Sequence, residues 1–408
     1  MSCEKLEEMG LAADVERPSV GLWKLFLSYL RVGATAFGFT ILAEMRALVK
    51  RERWMTESEL GEGIALVQLY PGPVMVDLTA YVGYRLRGVA GALASTIGFV
   101  LPSFVLMVVL SAIYFALGAV EWVKPLFIGL EALVVGVVLN MVVDFGSQNV
   151  RGREEAVIAT AAFAALLVRW NAVLIVLAAL GAGAMLLRPT EADGSSVGRP
   201  SPIATLGRRV PWSELAVALV VAASAGVFYL IGGPMGALGQ AFLKIGAVAF
   251  GNGMTIMPLL QAEAVDSHGW LSLRQFADGI ALGQVTPGPF LTTAAFVGYK
   301  VGGIVGAALG TFAIFSPSFA MTLLFAGLFG QIRHHVVVRG AVRGVLASFV
   351  GLLAVVALQL GQLALVGPAQ TILAAGAFVG ARYFRLPLAA LFAVGLLAWA
   401  GILALGWA

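Results

Sequence analysis

The chain has 408 residues, of which 60% are hydrophobic and only 12% charged, against about 25% charged in soluble domains, so lipid must solvate much of its surface. Its net charge of +4 lies in short basic groups between apolar runs, which excludes a nucleic-acid-binding face. One cysteine, Cys3, and three histidines (His268, His334, His335) exclude a disulfide framework and a Cys/His metal centre.

Residues 1–20 form a polar tail whose acids (Glu4, Glu7, Glu8, Asp14, Glu16) have the wrong sign for a signal-peptide n-region, so the whole chain is expected in the mature protein. A first apolar helix is predicted over Leu22 to Leu42, then a charged stretch, then an apolar segment over Leu60 to Tyr84 interrupted at Pro71-Gly72-Pro73. Long apolar runs follow at about 88–117 and 124–145. The run 155–187 is broken at Arg169-Trp170-Asn171 and predicts two short helices. Residues 188–211, rich in Pro, Ser and charge, read as an exposed linker. An unmatched apolar helix at about 213–232 comes next, and then the pattern of the first half begins again.

The recurrence is in register. Arg31-Val-Gly-Ala-Thr-Ala-Phe-Gly38 returns as Lys244-Ile-Gly-Ala-Val-Ala-Phe-Gly251, and Trp54 returns as Trp270. Glu62 to Pro73 (EGIALVQLYPGP) returns as Asp278 to Pro289 (DGIALGQVTPGP). Val82-Gly-Tyr-Arg85 returns as Val297-Gly-Tyr-Lys300, and Leu101-Pro-Ser-Phe104 as Ser316-Pro-Ser-Phe319. Apolar composition alone does not reproduce Gln, Trp, paired prolines and a cation in order. The chain therefore divides into a tail (1–20), a first repeat (21–187), a linker with an extra helix (188–235) and a second repeat (236–408). Such duplication is the ground plan of secondary transporters.

Loop charges bear on orientation. Arg46, Lys50, Arg51 and Arg53 follow the first helix, whereas its counterpart is followed by Glu263, Asp266 and Arg274. The segment near Glu121 and Lys124 is almost neutral, whereas its counterpart carries Arg333, Arg339 and Arg343. Basic loops swap between halves, so the expected fold is all-α and polytopic, an inverted repeat with broken helices.

On these residues the chain resembles the chromate ion transporter family in its long, two-domain form. The resemblance rests on Gly33, Phe37 and Gly38 with Gly246, Phe250 and Gly251, on the doubled Gln-x-x-Pro-Gly-Pro, on the Gly-Tyr-basic step and on Pro-Ser-Phe. It implies chromate export across the inner (plasma) membrane, with sulfate as the chemically similar anion, and oppositely oriented halves. The halves are unequal where Ala47 faces Glu263, Tyr70 faces Thr286 and Asp77 faces Thr293 in the alignment of the repeats.

Two prolines in three residues interrupt a helix, and interrupted backbone at membrane depth belongs inside protein or beside a water-filled cavity. A half-helix starting after Pro73 would present free N–H groups from Val74, and one after Pro289 from Phe290; such ends attract anions. A plain packing kink is the alternative. The candidate anion site therefore comprises Gln68, Pro71, Gly72, Pro73, Val74, Gln284, Pro287, Gly288, Pro289 and Phe290, with the helix-one ends Gly38, Gly251 and Asn252. Arg31 and Lys244 share one slot in their helices and would together neutralise a dianion, unless they snorkel to an interface. Asp77 is a candidate proton carrier or a structural hydrogen-bonding group. An anion channel would share this architecture without a coupling ion. No metalloenzyme motif, no nucleophile–base pair and no Walker loop is present, so neither an enzyme nor a cofactor is expected, and ATP-driven transport would need a partner. The expected partners are the oxyanion and the bilayer; association of copies is left open.

Overall fold

The structure, a computed structural model, describes residues 20–37, 40–117, 124–187, 212–251, 255–326 and 336–405. The expected tail and linker lie outside those residues. The described chain is helical: α1 Leu22–Thr35, α2 Thr40–Arg51, α3 Glu57–Val67, α4 Val74–Leu117, α5 Lys124–Asn149, α6 Arg153–Leu167, α7 Ala172–Leu186 and α8 Trp212–Ile231. The second half has α9 Gly233–Val248, α10 Ile256–Gln261, α11 Leu273–Val285, α12 Thr293–Ala326, α13 Val336–Ala364, α14 Pro368–Arg382 and α15 Leu388–Ala404. Five stretches are long and apolar enough to cross a membrane: Val74–Ala116, Pro125–Asn149, Trp212–Ile231, Phe290–Ala326 and Arg339–Ala364. Their exposed Leu, Ile, Val and Phe side chains are those of a surface solvated by lipid. The chain is a multi-pass integral membrane protein.

Sequence reading placed one continuous helix over Leu22 to Leu42, and the structure corrects this. α1 stops at Thr35, and α2 returns beside it: Lys24 Nζ lies 2.7 Å from Glu52 Oε2, and the rings of Tyr29 and Trp54 are 6.1 Å apart. In the second half α9 ends at Val248, and the chain returns through α10 and a π-turn, Ala262–Ser267, which brings Lys244 Nζ within 2.7 Å of Glu263.

The Pro-Gly-Pro segments are also tips of hairpins. A capping box at Thr56 and Glu59 starts α3, and its counterpart at Ser272 and Gln275 starts α11. After the prolines the chain folds back, so that Gly63 packs on the ring of Tyr81 and Gly279 on the ring of Phe296. Arg85 closes the first hairpin with an ion pair to Glu59 at 3.5 Å. Each return arm then reverses once more. Arg87 and Gly88 (φ 61°) break α4 into arms 74–86 and 89–117, and Gly302 and Gly303 (φ 59°) break α12 into arms 293–301 and 304–326. Both turns need the left-handed region that glycine enters at no steric cost. The Ser95 hydroxyl donates to the carbonyl of Thr79 at 3.0 Å, a contact that only a folded-back α4 permits.

The halves exchange their last helices. α5 of the first half packs on α14 and α15, while α13 of the second packs on α6 and α7. Gly136 leaves room for no side chain against the backbone of Ala374, and Gly351 leaves none against Ala159. Ion pairs tie this exchange, Arg343 to Glu155 and Arg382 to Asp144, the latter at 2.6 Å. The expected break at Arg169–Asn171 is present, and Asn171 caps α7 through Val173 and Leu174.

Candidate functional site

The hairpin tips of the two halves dock on each other. β1, Gly72–Pro73, pairs in parallel with β2, Phe250–Gly251, and Phe37 makes a parallel bridge with Gly288. Gly72 corresponds to Gly288 and Phe37 to Phe250 in the repeats, so each Pro-Gly-Pro tip docks on the helix-one tip of the other half. The Gly288 N–H donates to the Ala36 carbonyl at 2.9 Å. Four helical segments start at this junction: α2 at Thr40, the return arm of α4 at Val74, α10 at Ile256, and a 3-10 turn at Phe290–Thr292 that leads into α12. Their first N–H groups have no partner within the helix, and their dipoles turn positive ends toward one region.

The expected residues are only partly gathered here. Gly72 and Pro73 meet Phe250 and Gly251, with Pro71 and Val74 in the same tip, and Gly288 meets Phe37, with Pro287, Pro289 and Phe290 in the other. Gly38 and Asn252 lie outside the described residues. Gln284 is buried, with its amide nitrogen 3.9 Å from Met141 Sδ, but Gln68 is exposed. The duplicated glutamines are therefore not equivalent.

Arg31 and Lys244 need a larger correction. Both are exposed, not enclosed as a facing pair. Lys244 already pairs with Glu263, whose side chain is 7% exposed. Arg31 has no such acid, because Ala47 stands at the corresponding place, and its guanidinium makes no ion pair among the described residues. Asp278, at the start of the second repeated stretch, is 3% exposed and accepts a bond from Tyr114 at 2.6 Å.

Two residues were missed. Ser103 lies beside Gly288, 3.0 Å from where a Cβ there would sit, and Ser318 lies closer still against Gly72, at 2.6 Å. Each belongs to the Pro-Ser-Phe motif of the half opposite the tip it touches. The doubling was the available signal, but a serine within an apolar helix announces no partner by itself.

The first tip also carries an acid. Asp77 is fully buried and neither carboxyl oxygen has a hydrogen-bond partner. Its neighbours Ser318 and Thr322 donate instead to the carbonyls of Phe315 and Ser318, at 3.2 and 2.9 Å, and Tyr70 bonds Thr322 at 2.7 Å. The structural hydrogen bond considered for Asp77 would come from these two hydroxyls, which face its carboxyl. At the second tip Thr293 and Thr286 bond their own helices, to Phe290 and Leu282.

A family model described as chromate transporter matches residues 23–184 and 236–402, one match in each half. An uncharacterized transporter of Methanocaldococcus jannaschii is 31% identical over 348 residues, covering 83% of this chain and 84% of its own. The chromate transport protein of Pseudomonas aeruginosa is 31% identical over 370 residues, covering 85% and 82%. That of Cupriavidus metallidurans is 29% identical over 345 residues, covering 82% and 81%. No solved structure matches the chain significantly.

Proposed function

The chain belongs to the chromate transporter family, and from that premise we propose that it moves chromate, or a related tetrahedral oxyanion such as sulfate, outward across the inner membrane by alternating access. The observation that carries this reading is the reciprocal docking of tips, Gly72 with Phe250 and Phe37 with Gly288. It collects helix starts from both halves around one junction, and the N–H groups there that lack an intrahelical partner would coordinate a dianion whose water has been removed. The site residues are the tips, Pro71–Val74 and Pro287–Phe290, with Gly38, Gly251 and Asn252, and Gln284 near the end of α11. Arg31, which has no counterion among the described residues, serves as an entry residue in this scheme.

We read the halves as an inverted repeat. Tyr84 and Arg85 sit at the end of the first arm of α4, on the side where the first half's hairpins begin, bonded to Glu214 and Glu59. Tyr114, near the other end of the long arm, bonds Asp278, five residues into α11. These contacts support entry of the two sets of hairpins from opposite faces, and the basic loops at the first set favour a cytoplasmic location for it. Labelling tests this with Cys3 replaced by serine: Glu57→Cys and Ser267→Cys should react with an impermeant maleimide from opposite sides, and reaction from the same side excludes inversion.

Uptake of radiolabelled chromate into everted vesicles tests the function. Saturable uptake, inhibited by sulfate and stimulated by chromate on the far side, is expected of a transporter. Uptake without trans-stimulation would make the protein a channel, and no uptake would refute the proposal.

A further inference from the structure

A second buried charged cluster lies away from the tips. Glu131, on α5, is 1% exposed, and neither of its carboxyl oxygens has a hydrogen-bond partner. Arg274 at the start of α11 approaches it, with Nε 3.3 Å from Oε1, and the arginine itself is 53% exposed. One turn further along α11, Asp278 accepts from Tyr114, but its Oδ1 has no partner. Tyr114 is held by the rings of Phe115, Phe127 and Phe296. The titratable and charged groups facing the two carboxyls are thus Arg274 and Tyr114, and Asp278 stands one turn along α11 from the arginine that approaches Glu131.

We propose that Glu131 and Asp278 together form a proton-binding site, which holds a single shared proton when α11 is docked on α5. Two carboxylates against one guanidinium leave an uncompensated negative charge in a site with little water, and one proton removes it. Arg274 gives the cluster an aqueous edge. The mechanical link is α11 itself, which joins α5 at Arg274–Glu131 and again at Gln284–Met141, and ends at the Pro287–Pro289 tip. Loss of the proton charges the seam between the second half's hairpin and the first half and loosens it, so proton release and tip movement are coupled. The first half has no equivalent, since Ser58 and Leu346 stand at the places of Arg274 and Glu131. This coupling deepens the transport reading and rests on it; the proton site itself does not.

The full chain is compared with Glu131→Gln, Asp278→Asn and Tyr114→Phe, each checked for monodisperse behaviour. Infrared difference spectra across a pH titration, with no anion added, should contain a protonated-carboxyl C=O band that Glu131→Gln and Asp278→Asn remove and Tyr114→Phe shifts. Tyr114→Phe keeps the ring packing, so it reports even if a carboxyl variant fails to fold. In proteoliposomes, Glu131→Gln should lose chromate accumulation driven by a pH gradient yet retain chromate–chromate exchange. The proposal is overturned by bands unchanged in every variant, by gradient-driven accumulation equal to the parent, or by loss of exchange together with accumulation. A parent that moves no chromate refutes the transport reading, and the infrared band then still decides the proton site.

Discussion

Gly288 donates its backbone N–H to the carbonyl of Ala36, 2.9 Å away, and so ties the Pro-Gly-Pro tip of one half to the helix-one tip of the other. Gly288 holds φ at 92°, and a Cβ there would lie 3.0 Å from the Cβ and Oγ of Ser103 and 3.2 Å from the carbonyl of Gly33.

Gly288→Ala should therefore lower the thermal midpoint, by strain of about 1 kcal/mol or more from a left-handed alanine, and should weaken chromate binding. Gly61→Ala is the control, because nothing lies within 4 Å of a side chain there and alanine suits a helix better. Thermal melts and binding on purified protein decide; equal behaviour of the two variants would remove the tip from the argument.

Replacing Pro71 and Pro73 together by alanine should not straighten the segment. The fold-back is held by Gly63 on Tyr81 and Arg85 on Glu59, not by the prolines alone. The expected outcome is an inserted protein with a mobile tip, normal protease resistance at α3, and chromate transport much reduced. Transport at the parent rate would reduce the prolines to packing elements.

Asp77→Asn should raise chromate affinity where the parent carboxyl is ionised. The carboxyl lies on the first turn of the return arm and competes for the same positive helix end. Protonation neutralises the parent as pH falls, so parent and variant should converge at low pH and diverge as pH rises. Parallel binding curves across the whole range count against this role.

Lys244→Gln leaves Glu263, whose side chain is 7% exposed, with only the imidazole of His268 at 3.5 Å beside its carboxyl. It should cost about 1 kcal/mol, since the lysine is itself half exposed, and a second change, Glu263→Gln, should restore the midpoint. Arg31→Gln should leave stability unchanged and weaken chromate binding, with Arg31→Lys intermediate. Full chromate affinity in Arg31→Gln would remove that residue from the route of the anion.

The sequence by itself determined the membrane class, the duplication, the family and the two breaks, because composition and in-register motifs are properties of order along the chain. It also located the helix starts at Val74 and Phe290, since proline enforces them locally. It could not tell a broken helix from a hairpin. Whether two short helices continue or fold back depends on what each packs against, here Tyr81 on Gly63 and Phe296 on Gly279. Nor could equal motifs reveal unequal surroundings: Gln68 is exposed and Gln284 buried, and Lys244 has Glu263 where Arg31 has only Ala47. Only the tertiary structure decided which tip meets which, because Gly72 with Phe250 and Gly288 with Phe37 are contacts between residues far apart in the chain, made by backbone groups that every sequence shares.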